Sequence, residues 1–450
     1  MIEPKLRRRA AAGNPIKIAW VGAGRMITGA ITQTAQMKGM RNAVICDIQL
    51  DRAYRAHEIN GAKREDIVAA KSAGVANDAL RAGRPVVTDN AMLLPQLEVD
   101  CLVEGTGVPE VGAEVALRSI QAGKHIIMLN VETDVVIGPL LHQMAQRAGV
   151  VYTVSSGDEP GLICELVDRY RGLGFQIVAV GKTPPTLALL DLYATPDTVR
   201  ADAERQKINP HFLVTFRDAT KTAIEMSSIA NATGLVPDCR GMHGPKAGIY
   251  EMAKVFRPKS EGGILDKIGV VDYARPLTLE DGSIDWLRSV TPGVFVVVKA
   301  PHEQIREDLR YLSVTGDGDY FNFYTPYHFV TNEIPLSIVW AVEDHEPTCV
   351  ARHGHLTEVI AAAKKDMGVG EMLDAGGGYT LYGVNDLAVT TTAEKCVPLG
   401  LLQGARLVKP IKRDQIVTFD MVELRTDTTL YHLRRLQDSL IAPTEPGAAQ

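Results

Sequence analysis

The residues of this 450-residue chain most able to do chemistry begin with Gly22-Ala23-Gly24-Arg25-Met26-Ile27, directly after the apolar run Ile16–Val21. The first glycine permits a tight turn. The second lets backbone approach a pyrophosphate held at the amino end of a helix. Position 27 carries isoleucine where the dinucleotide fingerprint has Gly or Ala, which should hold the helix off the strand unless Gly29 relieves the crowding. Asp47 ends the second apolar run, where a carboxylate can accept hydrogen bonds from ribose hydroxyls and repel a 2′-phosphate. The next basic residue, Arg52, is too far along to compensate clearly. NAD is therefore favoured over NADP; the alternative is an aspartate that caps the following helix.

Three further loops carry polar residues after apolar runs: Gly105-Thr106-Gly107, then Asn130, Glu132 and Asp134, then Ser156-Gly157-Asp158-Glu159-Pro160. Loops at the carboxyl ends of strands line the ligand crevice of a doubly wound sheet. The Asp158-Glu159 pair reads either as a site or as first-turn acids of a helix. In the second domain, Lys182 follows the run Ile177–Val180, with an ammonium expected to project toward the crevice and act on an anionic group or a carbonyl oxygen. Asn231, Thr233, His243, Lys246, Asp272, Tyr327 and His328 lie in segments rich in Gly, Pro, His and Tyr. Histidine titrates near operating pH, so His243 and His328 are the candidates to move the proton that accompanies hydride transfer. Asp158, Glu159 or Asp272 can offer oxygen ligands to a metal, although no ligand set is defined. His353 and His355 read as solvated histidines of a linker over 343–355.

The elements that must position these groups follow from hydrophobic pattern. Strand, glycine turn, helix and strand over 16–46 make a βαβ unit. Apolar runs at 101–104, 125–129 and 150–154 alternate with helical patterns, which implies a parallel sheet covered on both faces. Later strand candidates are Gln176–Gly181, Phe212–Phe216, Val294–Lys299 and Gln415–Phe419, with a helix around Lys221–Ala230. Composition sets the limits: 46% hydrophobic and 23% charged residues describe a globular chain. A net charge of −6 argues against nucleic acid as a partner, and no apolar run is long enough for a membrane span. Six dispersed cysteines without zinc spacing are expected as free thiols of a reducing cytoplasm, where the protein is expected to reside.

The N-terminal half resembles homoserine dehydrogenase-type NAD(P) domains. Gly157-Asp158-Glu159-Pro160, Gly181-Lys182, Asn231–Asp238, Met242-His243-Gly244-Pro245, Gly269–Tyr273, Pro292–Val297 and Pro326-Tyr327-His328 together resemble the deoxyxylulose phosphate reductoisomerase-like family. Residues 356–425 resemble the SAF-type domain attached to it. The resemblance implies an α/β protein with a tail (1–15), a Rossmann-type domain (16–160), an α+β catalytic domain (161–345), a small mainly-β SAF-type domain (346–441) and a frayed tail (442–450). It implies a homodimer acting on a small phosphorylated or polyhydroxylated sugar derivative, with NAD(P)(H) and a divalent metal such as magnesium or manganese. Lys182, His243, His328, Asn231, Asp158 and Glu159 would be catalytic. Lys246, Thr233, Asp272 and Tyr327 would bind substrate, and Gly22, Gly24, Arg25, Met26, Asp47, Gly105, Thr106, Gly107 and Asn130 the cofactor. Family members with the reductoisomerase activity rearrange a carbon skeleton and then reduce it with NADPH. Cys46-Asp47-Ile48-Gln49 departs from that cofactor pattern, which opens the alternative of an NAD-linked catabolic dehydrogenase without rearrangement. The other class weighed is a nucleotide-sensing scaffold without turnover.

Overall fold

The computed structural model describes residues 1–447, which pack as two compact units. The first comprises Met1–Gly161, Phe329–Val350 and His432–Gln437; the second comprises Leu162–His328, Ala351–Tyr431 and the described part of Asp438–Gln450.

The first unit begins with helix α1 (Ile2–Ala11) where a tail was expected. Leu6 is buried, Arg9 Nε binds Glu343 Oε1 at 2.6 Å, and Lys5 pairs with Asp344, so this segment is anchored through Lys5, Leu6 and Arg9. Strands β1 (Ile16–Val21), β2 (Met40–Cys46), β3 (Val68–Ala69), β4 (Val86–Thr88), β5 (Cys101–Glu104), β6 (His125–Met128) and β7 (Tyr152–Val154) form one sheet in the order β3-β4-β2-β1-β5-β6-β7. All of its ladders are parallel. Helices α2 (Arg25–Ala35), α3 (Leu50–Glu58), α4 (Ala73–Arg81), α5 (Pro109–Gln121) and α6 (Val131–Ala148) connect the strands. This is the Rossmann-type doubly wound sheet, and its order reverses between β1 and β5. Ile18, Trp20, Ile27, Ile31, Val103 and Ile127 are fully buried in its core with Ile334 and Ile338 of the helix Val330–Val339.

Ile27 does not push α2 away. A Cβ on Gly105 would overlap Ile27 Cγ1 and Cδ1, so the room comes from the strand side of the crevice. Gly29, the expected source of relief, faces Thr331 instead.

Helix α7 (Glu159–Gly172) carries the chain across the boundary at Gly161/Leu162. The second unit holds a mixed sheet of β8 (Gln176–Thr183), β9 (Val236–Pro237), β10 (Val270–Tyr273), β11 (Gly293–Lys299), β12 (Gly316–Asp317) and β13 (Tyr320–Thr325), ordered β12-β13-β11-β8-β10-β9. Here β8, β9 and β10 run parallel, while β11 runs antiparallel to β8 and β13. After α8 (Arg200–Gln206) and α9 (Pro210–Arg217) comes α10 (Thr220–Thr233), in which every residue but Ala232 is buried. The expected strand Phe212–Phe216 is thus helical: the Asn209 side chain accepts from His211 N–H and Pro210 opens the first turn.

The small β region appears as β14 (Thr357–Ala363) paired with β15 (Leu381–Leu387), and β16 (Arg406–Leu407) paired with β17 (Val422–Glu423). The expected strand Gln415–Phe419 makes only isolated bridges, Ile416 to Ala362 and Thr418 to Cys396. Both β14 and β15 pack on α10. Asn231 Oδ1 accepts Leu356 N–H (2.9 Å) and Thr357 N–H (3.0 Å), and Lys364 pairs with the buried Asp218 at 2.8 Å. The expected linker 343–355 is folded: Cys349 and Val350 are buried, and His355, 3% exposed, binds Glu358 at 3.2 Å. Part of the expected frayed end is held too, by Thr444 N–H on His355 O; residues 448–450 lie outside the described residues. No helix among the described residues is long and apolar enough to cross a membrane.

Gly105→Ala should cost about 1–3 kcal/mol of stability through overpacking against Ile27. Adding Ile27→Ala should recover part of that loss in a double-mutant cycle read by denaturant unfolding. Strict additivity would contradict the contact.

Candidate functional site

In the first unit the glycine turn sits where the sheet order reverses. Gly22 has φ +93°, and a Cβ there would lie 3.4 Å from Gly105 O. Helix α2 starts at Gly24 with no side-chain cap, and a Cβ on Gly24 would meet open space. An uncapped amino end facing open space suits an anion. Met26 is exposed beside it, as is Arg25, which makes interactions of its own. Asp47 is 8% exposed: Oδ2 accepts Ala23 N–H and Oδ1 accepts Gln49 N–H, each at 2.8 Å. It therefore shapes the glycine turn, and a carboxylate with two further lone-pair sites can still accept from a ribose.

On the other side of the reversal, Thr106 N–H donates to Glu104 Oε1 at 2.8 Å, and Thr106 Oγ1 binds the same oxygen. Gly107 takes φ +68°. Asn130 caps α6 through Thr133 N–H (3.2 Å), and its Nδ2 donates to Val108 O (3.1 Å). Glu104 escapes the sequence reading because it terminates an apolar strand and looks like part of it. An acid in the last position of a fully buried strand is the signal that could have found it. Its carboxyl is 0% exposed. Burial pushes it up to about 7, against the lowering pull of Thr106 and of the Asn130 amide beside it. Asp158 and Glu159 are both buried where β7 passes into α7, behind Ser156, whose N–H donates to Ser337 Oγ at 2.7 Å.

In the second unit the parallel strands β8, β9 and β10 end side by side. Lys182 lies beside Tyr273 in the register, Asp272 lies beside Gly181, and Asp238 follows β9. Lys182 does not project into open space as expected. It is fully buried and paired with Glu225 of α10, whose other oxygen lies 3.8 Å from Lys221 Nζ. The cause is the central place of β8 in its sheet, between β10 and β11. An ammonium there must be paired to leave water.

Next to this cluster, Asp272 accepts N–H groups from Tyr273 (2.8 Å), Gly244 (3.0 Å) and His243 (3.2 Å). Burial raises its carboxyl above the usual range despite those bonds. His243 Nε2 lies 2.9 Å from Asp238 Oδ2, and Nδ1 lies 3.8 Å from Cys239 Sγ. Burial alone would raise Asp238, yet the Asp266 N–H, the His243 ring and the Lys267 N–H outweigh it and hold the carboxylate low. His328 Nδ1 binds Pro292 O at 2.8 Å, just before β11.

Other expected residues fall elsewhere. Asn231 spends its amide on the backbone of 356–357, and Thr233 Oγ1 binds Ile229 O at 2.7 Å. Lys246 is exposed and reaches Thr278 Oγ1 at 3.3 Å, and Tyr327 is 51% exposed.

The candidate site thus has two parts, a glycine turn at the reversal of a doubly wound sheet in the first unit and a histidine oriented by Asp238 at the strand ends of the second. Residues 157–334 match the family described as oxidoreductase DRL, catalytic domain. No curated protein matches the sequence. Among solved structures, the 3-ketoreductase KijD10 from Actinomadura kijaniata, in complex with NADP, is 19% identical at a TM-score of 0.26, over 38% of this chain and 50% of its own. The chain thus spans about half the length of that protein. A probable dehydrogenase from Thermotoga maritima is 12% identical at a TM-score of 0.40, over 74% of this chain and 90% of its own. The 1-deoxy-D-xylulose 5-phosphate reductoisomerase from Zymomonas mobilis, in complex with NADPH, is 14% identical at a TM-score of 0.33, over 47% of this chain and 57% of its own.

Two outcomes are expected from this geometry. Lys182→Ala breaks a buried ion pair and should lower stability by about 3–5 kcal/mol; an unchanged melting temperature would contradict the pairing. For Glu104, the folded carboxyl keeps its proton up to about pH 7, whereas an ordinary one loses it near pH 4.5. Between those values the native state binds more protons, so stability falls as pH rises through the window and levels off above it. Glu104→Gln should flatten that part of the profile and raise the melting temperature at pH 8. A slope equal to that of the unmutated protein would count against the burial.

Proposed function

We propose that this protein is a nicotinamide-dependent oxidoreductase that acts on a small polyhydroxylated or phosphorylated sugar derivative, with NAD favoured over NADP. The observation that carries the reading is the pairing of His243 with Asp238 at the strand ends of a DRL-type catalytic domain. When bound, the nicotinamide supplies the hydride chemistry. The chain's own residues do the rest. Gly22, Gly24 and the amino end of α2 would hold the pyrophosphate, and Asp47 the adenosine ribose, while Thr106 and Asn130 shape the loop on the far side of the reversal.

His243 moves the proton that accompanies hydride transfer. With Asp238 accepting Nε2–H, the imidazole is held in one orientation, and Nδ1 is the atom that takes a proton from a substrate hydroxyl or returns it to a carbonyl. A carboxylate in that position also stabilises the imidazolium once formed. The Lys182–Glu225–Lys221 cluster, buried beneath the same strand ends, holds α10 against them. Asp47 favours oxidation without rearrangement, because it discourages the 2′-phosphate of NADPH. The runner-up is rearrangement followed by NADPH-dependent reduction, as in the reductoisomerase-like family that this chain resembles.

Titration of intrinsic fluorescence should show NAD(H) binding at least about tenfold tighter than NADP(H), or about 1.4 kcal/mol. Asp47→Ser should erase that difference. Equal affinities in the unmutated protein would remove the NAD assignment and favour the runner-up. His243→Asn should lower kcat/KM by about 10²–10⁴-fold with cofactor affinity retained; full activity in that variant would move the proton step to His328.

A further inference from the structure

Arg171 in the last turn of α7, Gly234 at the end of α10, and His353, Leu356, Thr444 and Glu445 from the later chain surround a cavity of about 220 Å³. All of them belong to the second unit. Arg171 precedes β8 and Gly234 precedes β9, so the cavity lies at the amino ends of these parallel strands. Asp238 and His243 stand beyond the carboxyl end of β9. The cavity is therefore separate from the candidate proton-transfer site.

Its donors are held in place by the fold. Arg171 Nη1 donates to Thr233 O at 2.7 Å, which caps the carbonyl end of α10 and fixes the guanidinium plane. That cap uses one N–H of five. Nε and Nη2, on the other edge of the guanidinium, have no acceptor among the described residues, and such an edge pairs in bidentate fashion with phosphate or carboxylate oxygens. The His353 N–H donates to Asn231 O at 3.0 Å, and its ring lies over Gly234, where a Cβ would come within 3.0 Å of Nδ1 and Cε1. Thr444 is anchored by its N–H on His355 O at 2.8 Å. Neither the His353 ring nor the Thr444 hydroxyl donates to any described residue. Burial, then Arg171 and Arg352, lower the His353 ring from its ordinary value, as expected where cations gather. The exposed Glu445 also borders the cavity and makes no ion pair among the described residues.

We propose that this cavity binds a small phosphate monoester, with two oxygens on the Arg171 edge and the third within reach of His353 and Thr444. Four donors on three side chains around one space suit the three terminal oxygens of a tetrahedral phosphate. A carboxylate paired with Arg171 would keep both oxygens in the guanidinium plane and leave the other donors unused. The space exceeds a bare phosphate, since a cavity of about 150 Å³ already admits benzene. Leu356 covers the carbon chain of the ester, and Glu445 accepts a hydroxyl from it. The inference goes beyond the nicotinamide-dependent reading and does not rest on it.

The test is calorimetric titration of the full-length protein with inorganic phosphate, then with glycerol 3-phosphate, at constant ionic strength. Phosphate should bind saturably, and glycerol 3-phosphate should displace it. Arg171→Lys keeps a cation and a donor for Thr233 O but loses the bidentate edge, so phosphate binding should weaken by at least about tenfold. Glu445→Gln removes a bordering negative charge from an exposed residue and should tighten phosphate binding by about threefold. His243→Asn should leave phosphate binding unchanged. No saturable binding up to about 10 mM phosphate overturns the proposal, as does failure of glycerol 3-phosphate to displace it. An isotherm unaltered by Arg171→Lys, or one lost in His243→Asn, puts the anion elsewhere and overturns it too. Should Arg171→Lys not fold, Glu445→Gln decides: tighter binding supports the site, and an unchanged affinity refutes it. Activity enters none of these readouts, so failure here leaves the oxidoreductase reading standing.

Discussion

Burying the Lys182 ammonium at the end of a central strand sets a demand that shapes the whole second unit. An unpaired ammonium would not stay charged there, so a carboxylate must be delivered from above the sheet. Glu225 does this, and to do so α10 must lie flat on the strands, with Met226 and Ile229 packed among Val180, Val271, Val294 and Val296. A helix buried along nearly its full length needs cover on its outer side as well. The hairpin of β14 and β15 supplies it, fastened by the Asn231 amide. The small β region is therefore part of the scaffold that keeps Lys182 and Glu225 together, and a lost contact at 356–357 would be felt at the strand ends.

The two units solve their positioning problems in a related way. In each, parallel strands ending side by side bring together residues far apart in sequence: Gly22, Asp47 and Glu104 in the first, Lys182, Asp238 and Asp272 in the second. Backbone N–H groups then hold the carboxylates. Asp47 binds Ala23 and Gln49, Asp238 binds Asp266 and Lys267, and Asp272 binds Tyr273, Gly244 and His243. Side chains fixed by rigid backbone keep their aim, and proton transfer requires such aim.

Much of this was legible in the sequence, for identifiable reasons. Strands β1, β2, β5, β6 and β8 are covered on both faces, so each appears as a continuous apolar run, and the glycine turn marks the first crossover. What escaped was decided by tertiary packing. The run 212–216 is apolar enough for a strand, but Asn209 and Pro210 start a helix. Residues 343–355 look like a polar linker because their partners, such as Thr153 for the backbone N–H groups of Thr348 and Cys349, are nearly two hundred residues away. Lys182 drew notice by its place after an apolar run and was expected to project into the crevice, but no local pattern could show that Glu225 pairs with it in the interior. His243 was marked by its Gly/Pro setting, whereas the Asp238 that orients it became visible only in space.

The central claim is that this chain transfers hydride between a nicotinamide and a sugar-derived alcohol or carbonyl. The most direct measurement is nicotinamide absorbance during incubation of the full-length protein with NAD+ and a panel of sugar acids, polyols and sugar phosphates, repeated with the His243→Asn variant. The account predicts reduction of NAD+ with at least one polyhydroxylated member, and its loss by at least about 10²-fold in the variant. Absence of turnover across the panel in a protein shown to bind NAD+, or equal turnover with and without His243, would contradict it.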